Sequence, residues 1–282
     1  MFDHILVPVD GSNDGWVALE QAVEVAREEG STIQALFVAD SRIIEAPYWT
    51  AAPVDDPLPG GDAEQTEVAL TIGQMISDFG DKVLVEAERR CQEAGVSCEV
   101  EYRVGAVVNE ILDASEHADL VVIGRYGQGA AWAGPNFGSV FEAVVRHAKA
   151  PVLAAQAEVR SLLKILVAYD GSPRAMEALR IGANFAKSHD RELVVLVVNE
   201  GHPEMQDVFA RLKDWLARHD VAAKTLFEEG SPAETILRVE REEACSLIVM
   251  GAYGHSRFLQ IFFGSTVDEV VHQAITPVLV CH

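Results

Sequence analysis

Cations are scarce in this chain. Its 282 residues hold 22 Lys and Arg against 44 Asp and Glu, a formal net charge of −22 with a pI near 4.7. Binders of nucleic acid or of anionic membrane recruit Lys and Arg to phosphate, so this composition argues against both classes. Long apolar runs are missing too: Leu193–Val198 and Leu247–Met250 are strand-sized, far short of a membrane span. The opening "MFDHILVPVDGS" shows no basic leader before a long apolar segment, so no secretory signal is expected. Only four cysteines occur, Cys91, Cys98, Cys245 and Cys281, without close pairing. That suits a reducing compartment, and a cytoplasmic location is expected. Cys91 with Cys98, and Cys281 with His282, raise metal or redox chemistry, but no third or fourth ligand stands at useful spacing. A Gly-x-Ser-x-Gly elbow and a lysine-bearing phosphate loop are also absent.

What the chain does have, it has twice. "HILVPVDGS" at 4–12 returns as "KILVAYDGS" at 164–172, and "ADLVVIGRYG" at 118–127 as "CSLIVMGAYG" at 245–254. "FGSVFEAVVRHAKAPVLAA" at 137–155 returns as "FGSTVDEVVHQAITPVLVC" at 263–281. The landmarks keep their order, so a whole domain is duplicated rather than a short solenoid repeat. The expected division is 1–157 and 158–282. Acidity is unequally shared: 1–157 holds 9 Lys and Arg against 26 Asp and Glu, and 158–282 holds 13 against 18.

Within each copy strands alternate with helices. Ile5–Val9 and Ile165–Tyr169 are short apolar runs suited to strands buried on both faces. Ser172-Pro173 predicts a helix start, with Ser as N-cap and Pro at the first helical position. Second strands are expected at Ile33–Val38 and Leu193–Val198, and third strands at Cys98–Val104 and Ala222–Phe227. Leu120–Ile123 and Leu247–Met250 supply the fourth strands, and Val152–Ala155 and Val278–Cys281 the fifth. "SPAE" at 231–234 predicts a capping box. Five strands with intervening helices predict an α/β fold: two tandem Rossmann-like domains, each a doubly wound, five-stranded, mostly parallel sheet. The copies differ most at 40–64, a proline- and acid-rich insertion in the first that reads as a surface excursion or a flap over the site.

In such sheets ligands bind beyond the carboxyl ends of the strands, where the winding reverses. Two motifs stand at those ends in each copy: Asp-Gly-Ser after the first strand and Gly-x-x-Gly after the fourth. Gly254 and Gly264 allow backbone N–H groups to turn toward an anion, and a helix starting near Ser265 adds its positive dipole end. Ser265 and Thr266 offer hydroxyls, and His255 and Arg257 are cations within reach of outer phosphates. Asp170 repels phosphate unless a metal intervenes, so its expected partner is a ribose hydroxyl or Mg²⁺. A structural use is open for the same residues: Gly251 and Gly254 as strand terminators, Asp10 and Asp170 as helix caps.

These residues resemble the universal stress proteins, two domains in tandem, in the ATP-binding branch. That branch carries G-x2-G-x9-G-(S/T) with an aspartate after the first strand. Gly251, Gly254, Gly264 and Ser265 keep the pattern, with Asp170 upstream, and the resemblance covers nearly the whole chain. It implies that the backbone of Ala168 and Tyr169, with Val198, lines adenine and ribose. Met250 and Gly251 would flank the nucleotide, and Gly254, Gly264, Ser265 and Thr266 would hold phosphates. Matching positions in the first copy are Pro8, Val9, Asp10, Val38, Ile123, Gly124, Gly127, Gly138, Ser139 and Val140. There ten residues, not nine, separate Gly127 from Gly138, and the only nearby cation is Arg125 at the loop's mouth. The resemblance implies ATP, or AMP or ADP, with Mg²⁺, no rapid turnover, and a regulatory role in stress response. It also implies pairing of the two terminal strands into an intrachain pseudo-dimer, with a homodimer and a regulatory protein partner as further associations. A nucleotide-free interaction module and a slow ATPase are the alternatives.

Overall fold

The computed structural model describes residues 1–43, 61–127, 139–252 and 265–282, side chains excepted at 61–69 and 139. The first half runs β1 (His4–Pro8), α1 (Asn13–Glu29), β2 (Thr32–Asp40), α2 (Gly61–Glu93), β3 (Ser97–Gly105), α3 (Val107–Ser115), β4 (Leu120–Gly124), α4 (Ser139–His147) and β5 (Val152–Ala155). The second repeats it with β6 (Lys164–Ala168), α5 (Pro173–Ser188), β7 (Glu192–Asn199), α6 (Met205–Arg218), β8 (Lys224–Glu229), α7 (Pro232–Glu242), β9 (Leu247–Gly251), α8 (Ser265–Gln273) and β10 (Val278–Cys281). The third strand of the second half starts at Lys224, two residues beyond the expected Ala222, and continues to Glu229.

All ten strands form one sheet, in the order β3-β2-β1-β4-β5-β10-β9-β6-β7-β8. Each half is parallel throughout. The halves meet where β5 and β10 run antiparallel, with Leu153 opposite Leu279. Those two leucines are equivalent in the repeat, as an internal two-fold requires. The pairing also covers two edges that would otherwise lie open. Helices cover both faces, and one continuous apolar cluster on each side joins the halves. Ile5, Leu19, Leu153, Leu179 and Leu279 belong to one cluster, and Leu6, Phe141, Val152, Val270 and Val280 to the other. Successive strand residues such as Ile5 and Leu6 thus enter opposite cores, which is why these strands are apolar without alternation.

Polar contacts reinforce the junction. Gln21 of α1 donates from Nε2 to the Arg160 carbonyl at 3.0 Å and accepts from its N–H at 2.9 Å, which docks the linker. Glu29, at the end of α1, accepts from His189 at the equivalent end of α5 (2.7 Å) and from the Met1 amine. Burial opposes its ionisation, but the contacts with the Met1 amine and His189 outweigh that and hold the carboxyl below 4.5. One expected device is missing. Ser231 precedes α7 with extended backbone but makes no side-chain cap bond; the residue is exposed, so water competes for its hydroxyl. Among the described residues no helix is long and apolar enough to cross a membrane.

Candidate functional site

β1 lies between β2 and β4, and β6 between β7 and β9, so each half reverses its winding at its first strand. The crevice this creates opens beyond the carboxyl ends of β1 and β4, and of β6 and β9. The Asp-Gly-Ser motif forms the same turn at both places. Asp10 accepts the Ser12 N–H on Oδ1 at 2.9 Å, and Asp170 accepts the Ser172 N–H at 2.9 Å. Gly11 and Gly171 adopt φ of 78° and 81°, the left-handed region that favours glycine. Ser12 and Ser172 then cap the following helices, accepting from Gly15 N and Ala175 N at 3.1 Å. The structural use of this motif is therefore real, with one aspartate oxygen accepting inside the turn. In the first copy the other, Oδ2, lies across the crevice beside Gly127, where a Cβ would come within 2.9 Å of it.

Gly124 and Gly251 have a packing role. A Cβ on Gly124 would sit 2.6 Å from the Asp14 carbonyl oxygen, and one on Gly251 would sit 2.9 Å from the Ala175 nitrogen. The first turns of α1 and α5 thus press on the ends of β4 and β9, bringing a helix N-terminus to each crevice. Around them stand the remaining expected residues. Val38 and Val198, near the ends of β2 and β7, are half-buried, as are Pro8 and Ala168. Val9, Ile123 and Met250 are buried. The backbones of Val9 and Tyr169 extend the ladder, donating to Leu36 and Leu196 at 2.9 and 2.8 Å. The Tyr169 ring joins the core, where burial raises its phenol above 10. Only its main chain is left to line a ligand. Ser139 and Ser265 begin α4 and α8, with Val140 and Thr266 next in the first turn. Gly138, Gly254, His255, Arg257 and Gly264 lie outside the described residues, as does most of the 40–64 insertion with its flap reading.

Arg125 takes an unexpected position. Its Nη1 donates across the domain junction to the Val271 and His272 carbonyls, at 3.4 and 3.3 Å. It therefore caps the C-terminal end of α8, where a cation complements the helix dipole. The equivalent residue in the second copy is Ala252, so this contact has no counterpart.

Another pair at the rim escaped the sequence reading. Asp14 in the first turn of α1 accepts the Tyr126 N–H at 3.2 Å, which anchors the start of the first glycine loop. Its repeat equivalent is Arg174, exposed in the first turn of α5 against Gly251. Aligning "SND" with "SPR" shows the reversal of charge, but neither residue belongs to the glycine pattern. Among the described residues no three His, Cys, Asp or Glu side chains converge as a metal site.

The universal stress protein family profile matches residues 1–156 and 162–282. A universal stress protein of Synechocystis is 25% identical over 284 residues, 98% of each chain. One from Mycolicibacterium smegmatis is 27% identical over 296 residues, covering 98% of this chain and 96% of the relative. The crystal structure of a universal stress protein from Archaeoglobus fulgidus superposes with a TM-score of 0.76 at 26% identity, covering 99% of this chain and 97% of that one. With its sheet, its two Asp-Gly-Ser turns and its profile match all duplicated, the chain belongs to the universal stress protein family as two domains in tandem.

Proposed function

We propose that the chain binds ATP or a related adenine nucleotide, AMP or ADP, and serves nucleotide-dependent regulation in stress response, in the cytoplasm and without rapid turnover. One observation carries the reading: at the switch point Asp10 and the start of the Gly-x-x-Gly loop meet, a Cβ at Gly127 falling 2.9 Å from Asp10 Oδ2. A ribose would lie over this contact, its hydroxyls within reach of the carboxylate and the loop backbone. Val38 and Ile123, or Val198 and Met250, would flank the base. Phosphates would lie toward the N-termini of α4 and α8, where N–H groups and the dipole favour anions. Mg²⁺, when bound, supplies charge that offsets the phosphates against the acidic surface, with Asp10 or Asp170 as its protein ligand.

Calorimetry on protein stripped of nucleotide is expected to show saturable binding of ATP in preference to GTP. No heat and no thermal shift at saturating ATP would refute the proposal. The interaction-module reading would then stand, favoured by the exposed Leu70, Met75 and Val85 on α2 and Val104 on β3.

Turnover is expected to be slow. The sequence carries no lysine-bearing phosphate loop, and one oxygen of each aspartate accepts a backbone N–H in its turn. Hydrolysis should fall well below the enzyme median of about 10 s⁻¹. A purified sample reaching that rate, and losing it in Asp170→Ala, would make the protein an ATPase instead.

A further inference from the structure

Two thiols meet at the outer edge of the first domain. α2 ends in a left-handed turn, with Gly95 at φ 72° and the Val96 N–H donating to the Cys91 carbonyl at 2.9 Å. The chain therefore reverses at once, and Cys98, second residue of β3, comes back beneath the last turn of the helix. There Cys98 packs against the apolar cluster that contains Cys91, close enough for the two thiols to influence each other, and its Sγ also donates to the Glu99 carbonyl at 3.7 Å. Their surroundings differ. Cys91 is fully buried in the core cluster, whereas Cys98 is half-buried on β3, the outermost strand of the sheet among the described residues.

Contact with Cys91 favours the thiolate of Cys98. Burial opposes it, the Ala35 backbone supports it, and Glu88 and Glu99 oppose it; the net direction is below the usual thiol value. Cys91 moves the opposite way, raised by its contact with Cys98 and by burial. The other two cysteines are isolated and buried, and burial pushes them up to about 11 at Cys245 and about 12 at Cys281. Of the two sulfurs at the domain edge, Cys98 is thus the one nearer solvent and Cys91 stands behind it in the core, the placement of an attacking and a resolving thiol.

We propose that Cys91 and Cys98 form a site of reversible oxidation that closes to an intrachain disulfide on reaction with a hydroperoxide. The Cys98 thiolate attacks the terminal peroxide oxygen, the O–O bond breaks, and the alkoxide or hydroxide leaves and takes up a proton. Sulfur has then lost two electrons and stands as a sulfenic acid. The Cys91 sulfur displaces the sulfenic oxygen; the S–S bond forms, the S–O bond breaks, and the Cys91 proton departs with that oxygen as water. In sum, two thiols and one hydroperoxide give one disulfide, one alcohol or water, and one further water. A small dithiol reverses it by exchange. The bond ties the end of α2 covalently to the sheet edge.

The test uses the full chain, reduced and then exposed to excess hydrogen peroxide. The expected product is lighter by two hydrogen atoms, shows two thiols after denaturation where the reduced chain shows four, and yields a Cys91–Cys98 peptide that dithiothreitol separates. Cys98→Ser, a change at a half-exposed position, should leave the remaining thiols intact. Cys91→Ala should leave a Cys98 sulfenate that dimedone traps. Four surviving thiols in the wild type, a link mapped between chains or to Cys245 or Cys281, loss of two thiols in Cys98→Ser, or an unlabelled Cys98 in Cys91→Ala would each overturn the proposal.

Discussion

Gly254→Val is expected to abolish the tighter of two nucleotide-binding steps, and Gly127→Val to leave that step largely intact. The proposed sites are built on one plan but carry opposite charge at their mouths. In the second copy the nine-residue spacing is kept and His255 and Arg257 stand in the loop. Arg174 adds a cation at the first turn of α5. In the first copy that place is taken by Asp14, whose carboxylate holds the Tyr126 N–H, and Arg125 is engaged on the carbonyl end of α8. Each charge-assisted phosphate contact contributes roughly 1.5–3 kcal/mol, on the order of ten- to a hundredfold in affinity. The general acidity of the first half matters less, because salt screens charges beyond about 8 Å at physiological strength. Valine at either glycine puts a β-branched side chain where the backbone is proposed to approach the ligand. At Gly127 it would also collide with Asp10, so the first site should be lost in that variant while the second persists. Calorimetry on both variants decides. Loss of the tighter step in Gly127→Val, with Gly254→Val unaffected, would make the first half the principal site.

Much of this fold was legible because the chain states it twice. Apolar runs too short for helices and lacking alternation gave buried strands, and the repeated order of landmarks gave two parallel half-sheets. The pairing of Val152–Ala155 with Val278–Cys281 followed from the family resemblance and is seen in the antiparallel register about Leu153 and Leu279. What pattern could not supply were contacts between residues far apart in sequence. Nothing in "GRYG" says that Arg125 crosses 146 residues of sequence to reach Val271. Nor does a glycine announce whether its missing side chain makes room for a ligand or for a neighbouring helix. Gly124 and Gly127 look alike in the motif, yet one meets backbone and the other a carboxylate. Glu240 escaped for the same reason. It is buried in α7, accepting from Ile275 N, Thr276 N and Thr276 Oγ1 at 3.0, 2.9 and 2.7 Å, and looks in sequence like any surface acid.

That distinction yields the second large effect: Gly124→Ala should destabilise the protein by about 1–3 kcal/mol, and Gly251→Ala by less. Exchanging glycine for alanine ordinarily stabilises by about 0.4–1 kcal/mol through the unfolded chain, where the backbone allows it. Here the sign reverses because of what the new methyl meets. At Gly124 it would lie 2.6 Å from the Asp14 oxygen and 2.7 Å from its carbonyl carbon. Those atoms belong to the first turn of α1, held by the Ser12 cap and packed on β4, so the backbone cannot step aside as a flexible side chain would. At Gly251 the nearest backbone atoms, in Arg174 and Ala175, are 2.9 Å away, and a smaller shift relieves the contact. A loss of about 2 kcal/mol is roughly a thirtyfold change in the folding equilibrium, a large part of a typical stability of about 5–15 kcal/mol. Urea unfolding of the two variants, followed by nucleotide titration of each, separates packing from ligand contact. Unchanged or raised stability in Gly124→Ala would refute the packing role. Should nucleotide binding at the first site fail in that same stable variant, Gly124 would belong to the ligand surface, and the pressure of α1 on the end of β4 would not be what keeps a glycine there.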